Sequence, residues 1–232
     1  MKTKKLKNLT KKARGELAWA VREIAAESVQ LRIFSDPVEK THTIYLPAAA
    51  AEEGPARELH YLHELGHALL CERVHPFFAS GFPIAGLEKA QMAAAGPVLS
   101  AASDWFVGHW LMEFCPELAR AELADEFAET AEMMAHGETP DLDRFFVAVL
   151  ITAQSIKYLN KAVNCSGFLD AAVQAFLTVS PDAPTVEKLL ALFNGLLSLG
   201  APYRCRLVNS QGQDVLGFFL NAANGEPPAD RG

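Results

Sequence analysis

Cysteine is scarce and never paired in this 232-residue chain: Cys71, Cys115, Cys165 and Cys205 lie far apart, with no CxxC among them. That spacing excludes a zinc ribbon and a dithiol redox site, and the four are expected as buried free thiols. A long uninterrupted apolar run is missing too. Residues 92–110 come nearest, but they carry Pro97, Asp104 and His109. Residues 145–156 are too short, so no stable membrane insertion is expected. Positive charge is not in excess either: the formal net charge is −7, which argues against nucleic acid as a partner. The lysine-rich start is not followed by an apolar h-region, so a cytoplasmic location is expected. There is no internal repeat and no low-complexity tract beyond alanine-rich helix.

What is present is apolar and largely helical. Half of the residues are hydrophobic, enough at this length for one substantial core. The pattern predicts a mainly α fold with a small β component. Lys2, Lys4, Lys5, Lys7, Lys11, Lys12 and Arg14 crowd the amino terminus, read as a solvated or disordered basic tail over 1–14 that could meet an acidic partner. An amphipathic helix is expected over 6–28, then short strands at 30–34 and 41–46 around an Asp36-Pro37 turn. Small residues at 47–54 form a loop before a helix at 55–72, and 75–83 form another loop. Helices are expected at 87–95 and 100–114, interrupted or kinked at Gly96-Pro97, and again at 119–136, 144–159, 168–179 and 185–199. The chain closes with a β-hairpin, 203–208 and 215–220, and a disordered tail over 223–232. The domain reading is a catalytic region over 15–118 and, packed with it, a helical extension with terminal hairpin over 119–222.

Within the helix at 55–72 stands His63-Glu64-Leu65-Gly66-His67, an HExxH motif. Residues four apart on a helix are separated by about 40° of rotation and roughly 6 Å of rise, so both imidazoles can reach one ion. Glu64 beside them need not ligate. Its carboxylate can take a proton from water that the metal has acidified to a pKa of about 7. Leu59, Leu62, Leu65 and Leu69 recur at helical spacing and are expected to face the core, opposite His60, His63, Glu64 and His67. Gly66 costs about 1 kcal/mol of helix stability relative to Ala, and a close-passing backbone or substrate strand would explain it.

A catalytic zinc usually takes three protein ligands and leaves a fourth position for water. From Asp104, residues Val107, Gly108, Leu111 and Cys115 lie within about 60° on one helix face, whereas His109 and Glu113 lie about 140° and 180° away. Asp104 is thus the acid on the apolar face, where an unpartnered carboxylate is costly. It is the favoured third ligand. Gly108, one turn on, is expected to let the HExxH helix pack close. Glu88, in a first helical turn where acids are favoured without any metal, and Glu113, read as an i, i+4 partner of His109, stay open as alternatives.

The stretch Leu59-His60-Tyr61-Leu62-His63-Glu64-Leu65-Gly66-His67-Ala68, preceded by a helix and short strands, resembles the zincin-like metallopeptidases over about residues 16–115. An aspartate ligand on a later helix and the small-residue run Ala93-Ala94-Ala95-Gly96-Pro97 look closest in outline to FtsH-type peptidase domains, with ImmA/IrrE-type peptidases second. The resemblance implies a zincin-like core with Zn2+ held by His63 and His67, Glu64 as general base, and a peptide or protein substrate. Asp104 joins that set from helical geometry. The competing reading is a non-hydrolytic, zinc-containing regulatory or protein-binding module. An intact Glu64 favours the enzyme, because a purely structural site needs no base.

Overall fold

A computed structural model of the chain describes residues 2–26, 31–47, 55–79, 84–135, 141–210 and 212–220. The expected loop over 47–54 beyond Pro47, the end of the loop at 80–83, the helix end at His136 and the carboxy-terminal tail lie outside the described residues.

Helix α1 (Lys2–Gly15) replaces the expected tail. Leu6 and Ala13 are buried, so Lys5, Lys7, Lys11 and Lys12 occupy the outer face of a packed helix. Lys5 pairs with Glu117 at 2.7 Å, and Arg14 pairs with Glu23. Part of the acidic complement of this basic segment therefore comes from the chain itself. The helix expected over 6–28 stops at Gly15, and Ala20–Ala26 is instead a strand, β1. Its residues have no strong strand preference. The backbone ladder it forms with residues 41–47 decides the conformation, a case of tertiary context overriding propensity.

Strands β2 (Arg32–Asp36) and β3 (Thr41–Pro47) form the expected hairpin, with the Asp36 side chain accepting from the Val38 and Glu39 backbones and Lys40 at φ +52°. The sheet order is β1-β3-β2, with β1 parallel and β2 antiparallel to β3. Ile33 and Ile44 pair in register and point at α2 (Pro55–Arg73), where Leu62, Leu65 and Leu69 are buried as expected.

Helix α3 (Lys89–Phe114) runs through Gly96-Pro97 without a break. Proline removes one backbone donor, but the small residues around it leave room for the helix to continue. The chain turns at once into α4 (Pro116–Ala135), followed by α5 (Leu142–Leu159), α6 (Gly167–Thr178) and α7 (Val186–Leu197). Asp141 caps α5 by accepting from the Arg144 backbone, and Thr185 caps α7 from Lys188. The terminal hairpin is longer than expected, β5 (Tyr203–Ser210) against β6 (Gln213–Leu220), and a short strand β4 (Ile84–Ala85) joins β6 in parallel. The architecture is mainly α, with seven helices and two small three-stranded sheets among the described residues. Among them, no helix is long and apolar enough to cross a membrane.

Two apolar clusters meet along α3. One gathers α1, the first sheet, α2 and the junction of α3 with α4; the other gathers the body of α3 with α5, α6, α7 and the second sheet. The four cysteines are free, and burial pushes the Cys71 and Cys205 thiols up to about 12.

Candidate metal centre

The helix α2 carries the HExxH residues past α3 at close range. A Cβ on Gly66 would lie 2.9 Å from both Trp110 Cε3 and Val107 Cγ1, so only glycine lets these helices approach as they do. The close neighbours are thus side chains of α3, and neither a backbone nor a substrate strand. Gly108 has a different neighbour from the one expected. Its missing side chain makes room for Gln154 of α5, whose Nε2 would collide with a Cβ there.

This packing brings Asp104 onto the two histidines. Asp104 Oδ1 lies 2.9 Å from His67 Nε2 and 3.3 Å from His63 Nε2, and the two Nε2 atoms are 3.2 Å apart. Ligand atoms about 2.0–2.1 Å from a tetrahedral ion are roughly 3.3 Å from one another, so the triangle matches one face of such a coordination shell. Among the described residues these three form the one group of histidine, cysteine and acidic side chains arranged to hold a metal ion. The donor set of two imidazoles and a carboxylate fits that role, and it leaves the side away from the triangle for a further ligand.

The surroundings fix the donors. His67 Nδ1 is 2.8 Å from the Phe78 carbonyl, an acceptor that requires the proton on Nδ1 and leaves Nε2 as the ligating atom. Burial pushes His67 toward the neutral form, but the hydrogen bond and charge of Asp104, the Glu64 charge and the Phe78 carbonyl outweigh it and raise its pKa to about 9. Burial likewise pushes Asp104 up, and hydrogen bonds and charge from His63 and His67 overcome that and hold its carboxyl well below the usual range. The same attraction that holds protons in this triangle favours a divalent cation, which competes with them.

Glu64 is 7% exposed. Its Oε2 accepts a 2.6 Å hydrogen bond from the Ile33 backbone N–H of β2, and its Oε1 lies 3.7 Å from His60 Nε2. The carboxylate is therefore held through one oxygen while the other faces His60. Glu88 and Glu113 are elsewhere. Glu88 forms a capping box with Gln91 at the start of α3, and Glu113 is largely exposed, 3.5 Å from His109. His109 itself joins Tyr158 at 2.9 Å and Asp182 at 3.1 Å, a denser set of partners than an i, i+4 pair.

A second polar array supports α2 from the sheet side. Ser35 Oγ and Glu72 Oε1 each lie 2.8 Å from a ring nitrogen of His42, and Glu72 also accepts from the Ala18 and Trp19 backbones, each at 2.8 Å. All three side chains are buried, so the array anchors β2 and β3 to the end of α2. Sequence patterns gave no sign of it, because Ser35 and His42 meet only through strand register.

Beside the triangle lies a cavity of about 400 Å3, bounded by α2, α3, α4 and α5, with His60, His63 and Asp104 on its lining. Glu122 and Glu126 of α4 and Gln154 of α5 complete its polar groups. The i, i+4 spacing of the two glutamates on an acidic helix is visible in sequence; their position opposite His63 depends on how α4 packs. No protein-family model, curated protein or solved structure matches this chain.

Proposed function

We propose that the protein is a zinc-dependent peptidase, with His63, His67 and Asp104 as metal ligands and Glu64 as general base. The observation that carries this reading is the convergence of three donor atoms from α2 and α3 at 2.9–3.3 Å, with the motif's glutamate buried beside them. When bound there, zinc supplies Lewis acidity, acidifying water and polarising a peptide carbonyl. The remaining work falls to the chain. The Phe78 carbonyl fixes the His67 tautomer, Ile33 holds Glu64 by one oxygen, and the other oxygen accepts a proton from water and returns it to the leaving amine. The cavity next to His63 and Asp104 receives the substrate.

The bond from Ile33 also favours a second reading, the non-hydrolytic zinc-containing module, because it gives the Glu64 carboxylate a structural task. One variant separates the two. Glu64→Gln is expected to keep about one zinc per chain and to lose peptide hydrolysis by several orders of magnitude, measured by metal analysis and by cleavage of a peptide library. Loss of zinc from that variant would remove Glu64 from the role of base. Zinc in the wild type without cleavage of any peptide would leave the binding module.

A further inference from the structure

Where α2 ends, the chain turns back toward the metal centre through His75. The Val74 and His75 backbones both donate to the Leu70 carbonyl, at 2.9 and 3.2 Å. Pro76 follows, and a residue before proline is pressed into extended backbone. His75 accordingly stands at φ −165° and ψ 146°. From there its side chain caps the short 3-10 turn Pro76–Phe78, with Nδ1 accepting from the Phe77 N–H at 3.3 Å. Pro76 brings no N–H and the Phe78 N–H goes to the His75 carbonyl at 3.0 Å, so the cap meets the remaining donor of the turn.

Both ring nitrogens of His75 are in use. Because Nδ1 accepts, the ring proton is on Nε2, which donates at 3.2 Å to Asp214 Oδ2 near the start of β6. The turn held in this way carries the Phe78 carbonyl, which accepts from His67 Nδ1 at 2.8 Å. Phe78 is fully buried, and its ring meets Phe106 of α3 edge-on with centroids 5.3 Å apart. The turn is therefore clamped from two sides, by Asp214 of the hairpin through His75 and by Phe106 of α3. What both clamps position is the acceptor behind a candidate ligand.

We infer that His75, held by Asp214, is a positioning residue for His67: it fixes the turn whose Phe78 carbonyl sets the tautomer and direction of that ring, and so gives the terminal hairpin a part in the metal centre. This rests on the reading of His67 as a ligand for its effect on metal binding, though not for the hydrogen bond it predicts. An acceptor behind a ligating imidazole holds the ring and raises its basicity, so displacing the acceptor is felt in metal affinity. Asp214 acts one step further out. Without it the cap can still form, but the His75 ring loses the partner that keeps it turned toward Phe77.

Two readouts test this on the full chain: the His67 Nδ1–H resonance of metal-free protein, followed by NMR, and zinc affinity from chelator competition. Wild type is expected to show a slowly exchanging, downfield Nδ1–H signal, and His75→Ala to broaden or lose it. Zinc affinity should fall about tenfold in His75→Ala, the lower end of the range for groups that orient a ligand, and by less in Asp214→Ala. His75→Asn, whose amide oxygen can cap the same turn, should recover both readouts. Thr185→Ala removes a cap of the same kind from α7 and should change neither, which separates positioning from a general loss of stability. An Nδ1–H signal unchanged in His75→Ala, or equal effects of His75→Ala and Thr185→Ala on zinc affinity, would overturn the inference. Should His75→Ala fail to fold, Asp214→Ala carries the test in the same two readouts, and no change in either would overturn it. The expected response of the resonance in a protein that binds no zinc would count against the metal reading alone.

Discussion

Asp104 is the residue on which the site turns, because it reaches His63 and His67 from a different helix. Removing its carboxylate takes away a donor atom and leaves two imidazoles, too few for a tight zinc site. Asp104→Ala is therefore expected to weaken zinc binding by more than the roughly 10- to 100-fold typical of groups that merely orient a ligand. Glu88→Ala and Glu113→Ala should leave affinity nearly unchanged, since Glu88 caps α3 and Glu113 is exposed. A competition titration with a zinc chelator measures all three. An Asp104→Ala protein that binds like wild type would detach α3 from the site. His67 differs from His63 in its second contact: the Phe78 carbonyl fixes its tautomer, and the described residues give His63 no equivalent acceptor.

At the scale of elements, the site depends on how closely α2 and α3 approach. Gly66→Ala adds about 1 kcal/mol of helix propensity but places a methyl 2.9 Å from Trp110 and Val107. Overpacking of that kind costs about 1–3 kcal/mol, so little net change or a loss of up to about 2 kcal/mol is expected in urea unfolding. Because Val107 lies one turn from Asp104, moving α3 aside also pulls Asp104 from the histidines, and zinc affinity should fall even where stability does not. A variant that is more stable and binds zinc unchanged would show that the contact yields freely. The same contrast explains what could be read from the sequence. The apolar face of α2 and the pairing of Asp104 with the motif follow from helical geometry alone; the structure buries Leu62, Leu65 and Leu69 and brings Asp104 beside both histidines. Strand β1 was hidden because Ala20–Ala26 becomes a strand only against β3, and the unbroken α3 because a proline with small neighbours can be tolerated. The i, i+4 spacing of Glu122 and Glu126 is visible in sequence, but nothing there ties them, or Gln154, to the motif. Their meeting with His63 is decided by the packing of α4 and α5.

At the scale of the whole molecule, the candidate ligands straddle the two apolar clusters: His63 and His67 extend from a helix packed with the first sheet, and Asp104 from the helix that carries Trp105 and Phe106 into the second cluster. An ion held by all three would tie the clusters together and would bind the folded chain in preference to the unfolded one. Its stabilisation grows as RT ln(1 + [L]/Kd), about 2.7 kcal/mol when free zinc stands at 100 times Kd. For a chain of this size each kcal/mol moves Tm by about 2–4 °C, so chelation should lower Tm by roughly 5–10 °C. The unfolded chain, with seven histidines and four cysteines, competes for metal and moves the result toward the lower end. The shift should grow with zinc concentration and vanish in His63→Ala, as scanning calorimetry with and without chelator can measure. An equal zinc-dependent rise in wild type and in His63→Ala would mean that the metal stabilises the protein from somewhere other than this triangle.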